Sequence, residues 1–284
     1  MQDITKRVVI ALEDSSRLEG FLAQPGGDEF SQFRAIDNRR GGHISEFDVE
    51  EFERVYRRPP RAGEIGCTLS HVSVMRSFAR EGGPGDELLL VAEDDARFSI
   101  HLEAALEAIL QWPKVTGLVV LGDPYGRADH RDRAVGSSSE HFVQLSALAR
   151  PLRLAGGAPP FRIGRWAAGL TGAGLYLITR DACRAVDDYL NAVDGRKPWW
   201  VADYHGFYRD TLGCDVLFVR PNLVSWEGES SIQGDDHVEW RAGASARPSG
   251  LVRGIKPWIR EHAHRAELSA KSTAFDVKWR LRHR

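Results

Sequence analysis

The chain has 284 residues, 42% of them hydrophobic and 27% charged, enough for one large globular domain or two small ones. A formal net charge of -2 gives no overall attraction for nucleic acid or anionic membranes, so any electrostatic partner must be read locally. Cys67, Cys183 and Cys214 lie far apart with no C-x-x-C spacing, which argues against a disulfide framework or a zinc site and reads as core thiols in a reducing compartment.

In chain order, "RVVIAL" (7–12) reads as a first strand, with Ser15 or Ser16 able to cap a helical segment through Leu22. The early apolar run is broken by Glu13 and Asp14, and no stretch approaches the roughly 20 apolar residues a bilayer crossing needs, so a cytoplasmic protein is expected. "FSQFRAID" (30–37) reads as a second strand ending in Asp37 and Asn38. After the Pro/Gly stop signal "RRPPRAG", Ile65, Leu69, Val72, Met75 and Phe78 recur at spacings of three and four, which predicts a helix over 64–81 with one face on the core. Residues 87–92 then form a strand, "SIHLEAALEAILQW" a helix capped by Ser99, and "GLVVLGD" (117–123) a strand ending in an acid. This β-α-β order predicts parallel pairing.

From 124 to 165 the period is lost, and long loops with one pair of antiparallel strands are expected. "GAGLYLITRDACRAVDDYL" reads as strand then helix, and "CDVLFVRP" (214–221) as a last strand closed by Pro221. "RAGASARPSG" (241–250) is a linker by composition, followed by a basic tail that includes Lys256, Arg265, Lys278 and Arg282. The expected organisation is one α/β domain over 1–240, with a mostly parallel central sheet flanked by helices, then a linker and basic tail over 241–284.

The chemistry concentrates in "LLLVAEDDARF" (88–98), where a buried strand runs into Glu93, Asp94 and Asp95. In parallel α/β sheets ligands bind beyond the carboxyl ends of strands. Residues two apart in an extended chain project to one side about 6 to 7 Å apart. Glu93 and Asp95 can therefore share one hard cation, Mg²⁺ or Mn²⁺, while Asp94 turns toward the framework. The competing account is an acidic turn with Asp95 or Ser99 capping the next helix.

"GEIGCTLSHVSVMRSF" (63–78) followed by "LLLVAEDDARF" resembles the signature of glycosyltransferase family 25, the lipopolysaccharide and collagen galactosyltransferase-like family. Weaker similarity extends outward through "VVIALEDSSRLEGF", "FRAID" and "GAGLYLITRDACRAV". The resemblance implies a GT-A-like fold that moves a hexose such as galactose from a nucleotide-diphosphate donor, usually UDP, to a hydroxyl of a saccharide or other acceptor. It implies a divalent ion under the diphosphate, and inversion at the sugar carbon. A bound metal offsets the charge that develops as the nucleoside diphosphate departs, and an inverting reaction needs a base on the opposite face of the sugar.

Asp203 in "WWVADYHGF" is the first candidate for that base, beside Trp199 and Trp200, which can stack on sugars; equally, Asp203 can cap a helix and the tryptophans can be core. Ser70 and His71 look like the family's S-H pair, placed to touch nucleotide or diphosphate, or else structural. Glu64 is a nucleotide-site candidate or a first-turn residue stabilised by the helix dipole. Arg17 and Asp37 follow the first two strands, where nucleotide contacts fall, or are ordinary surface charges. "WEGESSIQGDDH" (226–237) offers His237 as a further metal ligand, with Asp235 and Ser231 as further candidates for a metal or phosphate contact, or is a surface loop. Asp123 is a lesser candidate, for the acceptor. The tail, with Trp258 and Trp279 among its cations, reads either as a peripheral contact with an anionic membrane or as a solvated helix packed on the domain. No nucleic-acid partner is expected. The alternatives are a metal-dependent hydrolase or nucleotidyltransferase acting on sugar nucleotides, and a non-catalytic carbohydrate-binding protein on the same fold.

Overall fold

A computed structural model describes residues 2–112, 115–122, 127–128, 134–135, 144–154, 161–167, 172–226 and 257–283. The strands are β1 (Ile4–Ala11), β2 (Ser31–Arg34), β3 (Leu88–Glu93), β4 (Ala96–Phe98), β5 (Gly117–Val120), β6 (Arg127–Ala128), β7 (Ala134–Val135), β8 (Arg150–Leu152), β9 (Phe161–Gly164), β10 (Leu175–Thr179), β11 (Asp215–Arg220) and β12 (Val224–Trp226). The helices are α1 (Leu18–Leu22), α2 (Val49–Tyr56), α3 (Ala62–Arg80), α4 (Leu102–Leu110), α5 (Arg180–Asn191) and α6 (Pro257–Arg282).

Eight strands form one sheet in the order β2-β1-β3-β10-β5-β11-β9-β8. Following the pairings across it, only β9 and β10 run against the other six, so the mostly parallel α/β sheet expected from the sequence is present. Strand β3 is apolar for five consecutive residues because both of its faces are covered. Leu89 and Val91 face the layer of α3 and α5, with Met75, Phe78 and Val186. Leu88, Leu90 and Ala92 face the opposite layer, with Phe21 and the α4 residues Leu106 and Ile109.

The pairing expectation fails in one respect. The sheet strands before and after α4, β3 and β5, are not paired: β10 inserts between them, antiparallel to both. Because β10 runs backwards, its beginning lies at the carboxyl end of β3, with Leu175 opposite Ala92 and Gly174 O accepting from Glu93 N at 3.0 Å. The glycine-bearing start of β10, far along the chain, is thereby delivered to the acidic turn.

Three local readings are corrected. The second strand stops at Arg34, because the Ile36 N–H leaves the ladder for Ser70 Oγ at 2.8 Å. Helix α1 begins after Arg17 without a serine cap; Ser15 Oγ instead accepts from Arg17 N at 3.2 Å and donates to Asp94. Helix α4 starts after His101, and Ser99 makes the preceding turn, its Oγ accepting from His101 N at 3.2 Å. Of the irregular middle segment, the described parts hold two antiparallel pairs, β6 with β7 and β8 with β9. The linker at 241–250 lies outside the described residues.

Helix α6 packs on the sheet domain. Arg165, after β9, pairs at once with Asp215 at the start of β11 and with Asp276 of α6, the latter at 2.7 Å and only 1% exposed. Ser272 Oγ and Thr273 Oγ1 accept from the backbone N–H groups of Ala167 and Ala147. Among the described residues no helix is long and apolar enough to cross a membrane. Removing Arg165 leaves Asp215 without its cation and the fully enclosed Asp276 with Arg280 alone, and breaking a buried pair in this way typically costs about 3 kcal/mol or more. Arg165→Met is therefore expected to lower the urea unfolding free energy by that amount and to expose α6 to limited proteolysis; wild-type resistance in the variant would show that the helix is held by other contacts.

Candidate active site

The turn Asp94–Asp95 joins β3 to β4, so the three acids sit at the carboxyl end of a strand enclosed on both faces. Each acid is treated differently by its surroundings. Asp94 turns into the framework, as expected: it is buried, its Oδ1 accepts from Arg17 Nη2 at 2.8 Å, and Ser15 Oγ donates to its Oδ2. Glu93 Oε1 lies 3.5 Å from Cys67 Sγ and 3.3 Å from His71 Nε2. Burial works against its charge, but His71, Cys67 and Arg17 outweigh burial and its carboxyl falls below the usual range.

Asp95 has the least support. Its Oδ1 is buried without a hydrogen-bond partner and its nearest cation, Arg17 Nη1, is 4.0 Å from Oδ2. Burial, followed by repulsion from Glu93, pushes its carboxyl up to about 7. A hard-cation site has this donor set: an ionised carboxylate beside a second one that is enclosed and short of partners. The residues present thus fit a divalent ion at Glu93 and Asp95. His237, the third ligand expected from sequence, lies outside the described residues, as do Ser231, Asp235 and Asp123.

Asp203 enters from the segment after α5. Thr68 Oγ1 of α3 donates to Trp200 O at 3.0 Å and Val201 N donates to Tyr56 Oη at 3.3 Å, which fixes that segment against the start of α3. The Asp203 carboxyl is pushed up to about 7, first by burial and then by Glu93 and Glu64, and the Gly172 N–H donates to it. His205 Nε2 meets Gly172 O at 3.1 Å. Burial lowers the His205 ring to about 4, so it is neutral and Nε2 is the donor. Gly172 has φ 144, a conformation that L side chains rarely adopt, and is held through both its own N–H and its own C=O.

The remaining candidates are placed less favourably for a ligand. His71 is 1% exposed, with Nδ1 2.8 Å from Tyr176 Oη, and acts on Glu93. The Ser70 hydroxyl is occupied by backbone, accepting from Ile36 N and donating to Gly66 O at 2.6 Å, so it ties β2 to α3. Glu64 accepts from Arg61 N at 2.8 Å and pairs with Arg58, the first-turn alternative. Arg17 is committed to Asp94 and Asp95. Asp37 is exposed and held to about 2 chiefly by Arg39, which also grips Asp14. Trp200 is fully buried and stacked on Phe207 with ring centres 3.6 Å apart, so it is core, and the half-buried Trp199 packs edge-on against the same ring.

Trp226 joins the site through the fold and not through any motif of its own. Strand β12 pairs with β4 so that Trp226 stands opposite Ala96, next to Asp95, and a Cβ on Gly174 would lie 2.4 Å from its Nε1. The half-buried indole therefore covers the glycine at the root of β10, beside the acids. The glycine of "GAG" was the available signal, since a strand glycine often marks a close approach.

The model of glycosyltransferase family 25, described as an LPS biosynthesis protein, matches residues 4–195, and the chain belongs to that family. No curated protein matches. Among solved structures, the chain is similar at TM-score 0.38 and 12% identity to "A197 from STIV", over 82% of this chain and 88% of that one. It is similar at TM-score 0.34 and 13% identity to the inositol-1-phosphate CTP transferase from T. maritima, over 87% of this chain and 97% of that one.

Because Asp95 is raised in the folded state, the native protein binds a proton that the unfolded chain releases near 3.8, so the metal-free protein loses stability as pH rises from about 4 to about 7. Asp203 acts in the same window. Asp95→Asn removes one of these contributions. In chelator, the variant is expected to gain on the order of 2 kcal/mol relative to wild type between pH 5 and pH 8; parallel thermal melts at the two pH values measure it, and an unchanged difference would mean that Asp95 is not strained.

Proposed function

We propose that this family 25 glycosyltransferase moves a hexose, galactose-like, from a UDP-linked donor to a hydroxyl of a saccharide acceptor with inversion, through a GT-A-like domain over 1–240. The observation that carries this reading is that Glu93 lies between two other carboxylates, its charge helping burial to raise both Asp95 and Asp203 to about 7. Glu93 and Asp95 would hold Mn²⁺ or Mg²⁺, with His237 as a further ligand. A divalent ion there supplies charge stabilisation for the departing diphosphate.

The chain's own residues do the rest. Arg17, anchored by Asp94, keeps one cation beside the acid pair and limits their repulsion. Asp203, steadied by the Gly172 N–H, takes the proton of the acceptor hydroxyl as the new glycosidic bond forms. A carboxylate titrating near 7 is suited to this: it is available as a base at neutral pH and holds the proton more firmly than an ordinary aspartate. Trp226 supplies an indole beside the acids on which a sugar or base can rest.

Three outcomes test the reading. UDP with Mn²⁺ should raise the melting temperature of the wild type beyond either alone, and Asp95→Asn should abolish that synergy. Asp203→Asn should retain it yet lower kcat by about 10² to 10⁴ with little change in donor KM. Since the base must be unprotonated, wild-type turnover should climb with pH through about 7. Full activity in Asp203→Asn would reassign the base.

A further inference from the structure

The wide cysteine spacing counts against a cysteine-based zinc site, but Cys67 has other company. Cys67 and His71 are four apart on α3 and so share one helix face. That face meets the end of β3, and Sγ, a His71 ring nitrogen and a Glu93 oxygen all lie within 4.8 Å of one another.

Both separations to Glu93 match those that a shared metal would set, and the imidazole contact is long for a charge-assisted hydrogen bond. A tetrahedral zinc, with Zn–S about 2.3 Å and Zn–N and Zn–O about 2.0 Å, sets sulfur about 3.5 Å and nitrogen about 3.3 Å from a shared oxygen ligand. The observed distances to Glu93 Oε1 are 3.5 Å from Cys67 Sγ and 3.3 Å from His71 Nε2. A hydrogen bond from imidazole to an ionised carboxylate runs instead at about 2.7 to 2.9 Å. The second ring nitrogen is already oriented: His71 Nδ1 is 2.8 Å from Tyr176 Oη, the outer contact that fixes a metal-binding histidine. Tyr176 is itself buried in the antiparallel strand next to β3, so this support is rigid.

From this geometry we infer that Cys67, His71 and Glu93 form a binding site for a thiophilic divalent cation, Zn²⁺, with its fourth position open. Thiolate and carboxylate together balance the ion's charge, and binding releases the Cys67 thiol proton to solvent. Sulfur and nitrogen donors select zinc over Mg²⁺ or Mn²⁺, so the site is chemically distinct from the hard-ion pair Glu93 and Asp95, although Glu93 belongs to both. Zinc there clamps α3 to β3 and fixes the root of the acid cluster. The inference stands on the trio's geometry and does not require the transferase reading.

Full-length protein stripped with chelator is to be titrated with Zn²⁺ and, separately, with Co²⁺. One Zn²⁺ per chain that survives dialysis is expected, together with an intense tetrahedral cobalt spectrum carrying a thiolate-to-cobalt band. Cys67→Ser should lose that band and weaken Zn²⁺ binding by about 100-fold or more, and Tyr176→Phe, which keeps all three ligands, by about 10-fold. Wild-type zinc affinity in Cys67→Ser, or a cobalt spectrum without the thiolate band, overturns the site. Zinc binding that survives in Asp95→Asn, alongside loss of the Mn²⁺-dependent UDP response, separates the two sites. A wild type that binds zinc and ignores UDP with Mn²⁺ sinks the transferase reading alone.

Discussion

The structure is organised around the electrostatic problem of ending an enclosed strand in three carboxylates. Desolvation raises the cost of each charge, and mutual repulsion adds to it. The surroundings answer unequally. Arg17 and Ser15 take Asp94, His71 and Cys67 take Glu93, and Asp95 is left with a buried oxygen and a distant guanidinium. A fold concerned with stability alone would have replaced Asp95 or given it a partner. Unrelieved repulsion at a strand end is instead what a ligand of opposite charge would relieve, and this is why the site reads as a place for cations.

The topology explains how so much converges on one turn. Were β3 and β5 neighbours, as the local order suggests, the end of β3 would face another parallel strand end. Inserting β10 in reverse places its first residues there, so that Gly174 meets Glu93 N and the indole of Trp226 while Tyr176 meets His71. The short β4–β12 pair then folds Trp226 back over the acids. Each contribution comes from a different part of the chain, and each is held by backbone pairing or by a buried side chain.

These features divide sharply by how far their physics reaches. Helix α3 and strand β3 were legible because a three-four apolar period and a solid apolar run are local consequences of burial. The acidic turn was legible because charges directly after such a run need explaining. The place of β10 was not legible, since nothing within 175–179 encodes which strands it separates. Trp199 and Trp200 looked like sugar platforms from their neighbour Asp203, yet adjacent large aromatics also make an aromatic core cluster, and Phe207 decided the matter. Ser70 belongs to the same class: its backbone partners come from β2 and from its own helix, so the motif could be seen but its use could not.

The motif itself acquires a physical reading from this. In "GEIGCTLSH", Gly66 lets the β2 exit approach α3, since a Cβ there would lie 2.6 Å from Ile36 O. Glu64 closes the first turn, Ser70 captures the β2 exit, and Cys67 with His71 turn one face toward Glu93. None of these side chains is free to reach a nucleotide while it makes those contacts. The helix is therefore better understood as the wall against which the acid cluster is set, which leaves Asp95, Asp203 and the half-buried indole of Trp226 as the groups not taken up by it.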